Sequence, residues 1–262
     1  MVSNTPLQVV QLSDTHLFAD QEGVMLGCPT NKTFTAVLDA VRSLPMPPDL
    51  LLLTGDLSQD ETPASYEQLT ASLRPHTVPA YWLPGNHDVP ELMAQVLCNS
   101  PVSTDKSFQA GNWHFILLST QAPRQVDGHL TVDSLAWLET QLQEHPDSPT
   151  LIALHHPPCL IGSAWMDAIG LQNSQAFYDV VDRYSQVKLV IFGHIHQAFS
   201  EVRRGVTYLG CPSTCVQFKP QMEKMVLDRQ GPGFRLLSLY PDGQFTTQVE
   251  RVQLSDSLAT AQ

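Results

Sequence analysis

Five short apolar runs in this chain each stop abruptly at a group of Asp, Asn or His residues. Leu7 to Leu12 runs into Ser13-Asp14-Thr15-His16. Leu50 to Thr54 runs into Gly55-Asp56. Ala80 to Leu83 leads through Pro84 to Gly85-Asn86-His87-Asp88. Leu151 to Leu154 ends at His155-His156, and Lys188 to Phe192 ends at Gly193-His194-Ile195-His196. Such runs read as buried strands. In open α/β sheets the space beyond the carboxyl ends of the strands is where ligands bind. Five separate segments therefore deliver polar side chains to one place.

Helix-period segments alternate with these runs. Thr33 to Leu44 puts Phe34, Val37, Leu38 and Val41 on one face, and the prolines from Pro45 to Pro48 stop it. Ala64 to Leu73, Val132 to Glu144 and Gln175 to Tyr184 read as further helices, and Trp113 to Ser119 as another strand. The tail turns to β: Val206 to Leu209, Phe234 to Tyr240, a turn at Pro241-Asp242-Gly243, then Gln244 to Val252. Residues beyond about Ser255 read as a frayed end. The expected architecture is α/β, with two central sheets and helices outside. It forms a single domain over residues 1–262, β-rich from about residue 199.

A formal net charge of −12 argues against a nucleic-acid partner, which needs a basic surface. A small anionic substrate stays open, since bound metal ions can dominate the local field. The five cysteines, Cys28, Cys98, Cys159, Cys211 and Cys215, suggest no disulfide framework. The lone C-x3-C of Cys211 and Cys215 reads as ordinary thiols. Met1 to Pro6 shows no basic region followed by an apolar stretch, and no segment approaches the roughly 20 apolar residues of a membrane span. A cytoplasmic protein with no membrane partner is expected.

The strand-end residues are metal-ligand types. Imidazoles, carboxylates and an amide suit Fe, Mn, Zn or Co. No cysteine accompanies them, which argues against a thiolate zinc site. Any one segment alone reads as a cap or a turn; all five together, in order, do not. Asp14 and His16 are expected to share a face, as alternate residues of an extended chain, and so are His194 and His196. Glycines before Asp56, Asn86 and His194 allow close backbone approach.

Asp14-x-His16, Gly55-Asp56, Gly85-Asn86-His87-Asp88, His155 and Gly193-His194-x-His196 together resemble the motif set of the calcineurin-like metallophosphoesterases. The resemblance implies a four-layer αββα sandwich of two mixed sheets and a pair of metal ions. It implies that Asp14, His16 and His196 hold the first ion, that Asn86, His155 and His194 hold the second, and that Asp56 bridges them. His156 is the alternative to His155. His87 is similar to the residue that contacts phosphate and protonates the leaving oxygen, and Asp88 beside it is expected to orient that imidazole. His16, Asp56, Asn86, His87 and His196 would face the substrate. A bridging water, deprotonated near neutral pH, would be the nucleophile. Iron, with or without manganese, is the pair the resemblance suggests.

A narrower resemblance is to the bacterial class III cyclic nucleotide phosphodiesterases. It rests on Ser13 to Phe18, Thr54 to Asp60, Trp82 to Asp88, Gly193 to Gln197 and above all Pro212 to Pro220. It implies hydrolysis of 3′,5′-cyclic AMP to 5′-AMP. Another small diester, such as a glycerophosphodiester, is the alternative substrate. A non-catalytic metal-binding scaffold is a third reading, which the intact ligand set opposes. Pro212 to Pro220 reads either as a cover over the sheet edge or, through Phe218, as part of the nucleotide pocket.

Overall fold

Period-two alternation along the strands sorts this chain into layers. The computed structural model describes residues 5–254. In chain order the elements are β1 (Leu7–Leu12), a small hairpin of β2 (Val24–Met25) and β3 (Cys28–Pro29), α1 (Thr30–Arg42), β4 (Leu50–Thr54) and α2 (Pro63–Leu73). Then come β5 (Ala80–Leu83), α3 (Pro90–Val96), β6 (Val102–Ser103), β7 (Ser107–Ala110), β8 (Trp113–Leu117), α4 (Val132–Glu144) and β9 (Thr150–Leu154). The remainder is α5 (Ala164–Asp167), α6 (Ser174–Val181), β10 (Val187–Phe192), β11 (Phe199–Arg203), β12 (Val206–Gly210), β13 (Gln217–Phe218), β14 (Leu227–Asp228), β15 (Gly233–Leu239) and β16 (Phe245–Arg251).

Two six-stranded mixed sheets result, in the orders β16-β15-β1-β4-β5-β6 and β11-β12-β10-β9-β8-β7. In the first, β1, β4, β5 and β6 are parallel, and β15 runs antiparallel to β1. In the second, β8, β9, β10 and β12 are parallel. Leu50 and Leu52 pack between the sheets with Leu151, Ala153, Leu189 and Ile191. Their neighbours Leu51 and Leu53 face the other way, onto Phe34, Val37 and Leu69 of α1 and α2. Ile152, Leu154, Val190 and Phe192 likewise face Leu138, Leu142 and Phe177 of α4 and α6. The order of layers is αββα, as the resemblance implied.

The register brings the strand ends level. Leu12 lies opposite Leu53, Thr54 opposite Leu83, and Phe192 opposite Leu154. The polar groups after β1, β4, β5, β9 and β10 thus emerge at one edge of the sandwich. Sequence reading did not find β6, β7, β11, α3, α5 or the β2–β3 hairpin, which are short or lack a clear apolar period. The end beyond Ser255 and residues 1–4 lie outside the described residues. No helix among the described residues is long and apolar enough to cross a membrane.

Candidate metal centre

The strands stop before the ligand-type residues begin. Asp14, His16, Asp56, His194 and His196 all adopt the left-handed conformation, with φ between 46° and 68°. The expectation that Asp14 with His16, and His194 with His196, share a face of extended chain is therefore corrected. They converge because the backbone coils tightly there. Left-handed geometry costs about 1–2 kcal/mol for a residue with a Cβ, and such strain clusters at functional sites. Hydrogen bonds hold the coil: Asp14 N donates to Gly55 O at 2.9 Å, and His16 N donates to Asp56 O at 2.9 Å. Gly85 is required by close approach, because a Cβ there would meet the Asp56 carboxylate and amide.

Two buried clusters form. In the first, the atoms of Asp14, His16 and His196 that could hold a metal lie within 4.8 Å of one another. His196 Nε2 stands 3.3 Å from Asp14 Oδ1 and 3.2 Å from His16 Nε2. His16 Nδ1 donates to Gln59 Oε1 at 2.8 Å, and His196 Nδ1 donates to Val216 O at 2.9 Å. Each bond fixes the tautomer and leaves Nε2 with a free lone pair aimed into the cluster. Burial pulls His16 down to about 4, so its imidazole is neutral despite the nearby carboxylates.

Asp56 stands between the clusters. Its Oδ2 lies 3.8 Å from His16 Nε2 and 3.3 Å from His155 Nε2, and its Oδ1 accepts from His87 N at 2.8 Å. Burial alone would raise its pKa, but the charge of His155 outweighs this and holds it well below the carboxylate range.

The second cluster carries the clearest mark of a cation site. Asn86 Oδ1, His155 Nε2 and His194 Nε2 are all buried with no hydrogen-bond partner. They belong to the three residues that the family resemblance implies would hold one ion. Buried polar atoms left unpaired are costly, and a metal satisfies all three. His155 Nε2 does approach Asp56 at 3.3 Å, without the alignment of a hydrogen bond. Its Nδ1 donates to Thr54 O at 2.8 Å. Burial pulls His155 down, but the Asp56 charge outweighs it and raises it to about 9, so a cation must displace a proton there. Burial and the neighbouring imidazoles hold His194 well below its usual range. The residues fit a two-cation site.

His156 lies among these atoms, yet both its nitrogens are engaged. Nε2 donates to Val126 O at 3.0 Å, and Nδ1 accepts from Thr120 Oγ1 at 2.8 Å. That leaves His155 with the free lone pair. His87 is half-buried and sits edge-on to His16, with ring centroids 5.1 Å apart. A nitrogen of its ring comes within 4.8 Å of ligand-type atoms of His16 and Asp56.

Asp88 does not do what its position suggested. Its carboxylate accepts from Leu57 N, Ser58 N and Gly85 N at 2.9–3.1 Å and from the Tyr66 hydroxyl at 3.1 Å. It ties the loop after β4 to the loop after β5 and makes no bond to the His87 ring. Burial and the Asp56 charge push it up to about 7. Sequence reading missed Tyr66 and Gln59 because neither is a ligand type. Gln59 stands three residues after Asp56, and that proximity was the available signal.

Pro212 to Pro220 packs against the first cluster. Ser213 Oγ donates to Asp14 O at 2.7 Å, Val216 O accepts from His196 Nδ1 at 2.9 Å, and Phe218 stacks on the His196 ring at 4.3 Å and 18°. The segment backs the first cluster from behind.

The model of the calcineurin-like phosphoesterase family matches residues 7–198. The chain is similar to a 3′,5′-cyclic-nucleotide phosphodiesterase of Nostoc sp., at 49% identity over 97% of this chain and 96% of that protein. It is also similar to the 3′,5′-cyclic adenosine monophosphate phosphodiesterase CpdA of Escherichia coli, at 38% identity over 94% of this chain and 90% of that protein. A dimetal phosphatase from Danio rerio shares its fold, with a TM-score of 0.65 at 15% identity, covering 95% of this chain and 100% of that one. Motif order, layer order and paired ligand clusters agree with this match, and the chain belongs to the calcineurin-like phosphoesterase family.

Proposed function

We propose that this chain hydrolyses 3′,5′-cyclic AMP to 5′-AMP. The observation that carries the reading is the pair of clusters joined by Asp56, with His87 beside them and every ligand position filled. The substrate follows from the near-full-length similarity to proteins named as cyclic-nucleotide phosphodiesterases. Asp14, His16 and His196 would hold one ion, Asn86, His155 and His194 the other, and Asp56 both. Iron or manganese suits this nitrogen and oxygen set, with zinc or cobalt as substitutes. When bound, the ions supply a water deprotonated near neutral pH and neutralise charge on phosphate.

His87 then protonates the leaving 3′ oxygen as the bond from phosphorus to that oxygen breaks. The tautomers fixed by Gln59, Thr54 and Val216 keep the ligand lone pairs directed at the centre. Five free cysteines suit a reducing compartment, and we place the protein in the cytoplasm.

Chromatographic product analysis tests the reading, with metal-replete and chelated protein side by side. We expect 5′-AMP in the metal-replete sample alone. 3′-AMP as the sole product, or intact cyclic AMP beside a cleaved synthetic diester, would overturn the substrate assignment.

A further inference from the structure

The mechanism leaves a pair of thiols unused. Cys28 opens β3 in a hairpin whose turn residues, Leu26 and Gly27, have φ of 48° and 84°. That two-residue left-handed turn folds the hairpin back tightly, and it sets Cys28 against the cluster that contains Cys215. The two thiols lie close enough to perturb each other's titration. Both line a cavity of about 590 Å³, together with Gln217, Arg229 and Arg251. Cys28 is half-buried and Cys215 is buried. Cys211, four residues before Cys215, turns elsewhere, to Gln11 O at 3.6 Å.

Cys215 lies directly behind the first cluster. Its Sγ is 3.5 Å from Asp14 O, and its N donates to Ser213 Oγ at 2.9 Å. The same Ser213 hydroxyl supports Asp14, and the next carbonyl, Val216 O, fixes the His196 tautomer.

We propose that Cys28 and Cys215 form an oxidation site, a reversible dithiol–disulfide pair whose closure loosens the first metal cluster. The oxidant is a peroxide. The Cys28 thiolate attacks one peroxide oxygen; an S–O bond forms, the O–O bond breaks, and the leaving hydroxide takes a proton to become water. The Cys215 sulfur then attacks the Cys28 sulfur; the S–S bond forms, the S–O bond breaks, and the second oxygen leaves as water. Two thiols and one hydrogen peroxide give one disulfide and two waters. Small thiols reverse the reaction by exchange.

The neighbouring Cys215 holds the Cys28 thiol below its ordinary range while burial pushes Cys215 up, which makes Cys28 the attacking sulfur. A disulfide needs its sulfurs about 2 Å apart, closer than two unbonded sulfurs approach. Closure therefore pulls the Ser213–Val216 segment toward the hairpin and off its bonds to Asp14 and His196. Partners behind metal ligands typically govern affinity by about 10–100-fold. The coupling to metal rests on the assignment of Asp14 and His196 as ligands; the thiol pairing does not.

The test uses full-length, metal-loaded protein exposed to hydrogen peroxide, then thiol-blocked and digested without reduction. Mass spectrometry reads the peptides, and a chelator competition reads metal affinity. We expect a peptide pair joined at Cys28 and Cys215, metal affinity about tenfold weaker, and recovery with dithiothreitol. Cys28→Ser and Cys28→Ala should each lack the cross-link and keep their metal affinity in peroxide. The proposal falls if no such cross-link forms. It also falls if the Cys28 variants lose as much metal affinity as the native protein, which would assign the effect to oxidation of the metal. Neither readout uses a substrate, so a failed cyclic-AMP assignment would leave this result standing.

Discussion

At the scale of single residues, the second nitrogen of each histidine decides what the first can do. His155 and His156 are adjacent and both buried, yet only His155 keeps a free lone pair, because its Nδ1 bonds to Thr54 O while His156 spends both nitrogens. His155→Ala should reduce bound metal from two ions toward one and abolish turnover. His156→Gln should keep both ions and cost about 1–3 kcal/mol of stability, the price of disturbing a satisfied buried group. Elemental analysis beside a urea titration reads both. Equal metal loss in the two variants would reassign the ligand.

At the scale of elements, the loops after β4 and β5 are one mechanical unit. Asp88 joins them by taking backbone protons from Leu57, Ser58 and Gly85, while Tyr66 of α2 adds its hydroxyl. That unit carries Asp56, Asn86 and His87. Asp88→Asn replaces an acceptor oxygen with a donor facing donors. It should cost about 1–3 kcal/mol, with kcat falling alongside as the loop loosens. Equilibrium unfolding and steady-state rates check this. A variant with unchanged stability but an altered pH profile would favour the older expectation that Asp88 serves His87.

At the scale of the whole molecule, the site stores cost that the fold must offset. Five left-handed residues, clustered imidazoles and three unpaired buried atoms converge at one edge of the sandwich. Bound cations relieve it, so they bind the folded state far better than the unfolded one. At a thousand times the dissociation constant such linkage is worth about 4 kcal/mol. For a chain of this size, 1 kcal/mol shifts Tm by roughly 2–4 °C. Chelation should lower the Tm by about 10 °C, and added metal should restore it. A melt indifferent to chelator would mean that these clusters do not take up metal.

The sequence by itself determined the layer order and the ligand-type residues. Both depend on short-range patterns: apolar residues alternating along strands such as Leu50 to Thr54, and polar residues placed where those strands stop. It did not reveal that Asp14 and His196 sit on left-handed backbone, that Asp88 ties two loops, that Ser213 and Val216 back the first cluster, or that Cys28 meets Cys215. Each of these is a contact or constraint between segments far apart in the chain. Only the packing of two sheets, which sets strand ends side by side and fixes which donor reaches which acceptor, could decide them.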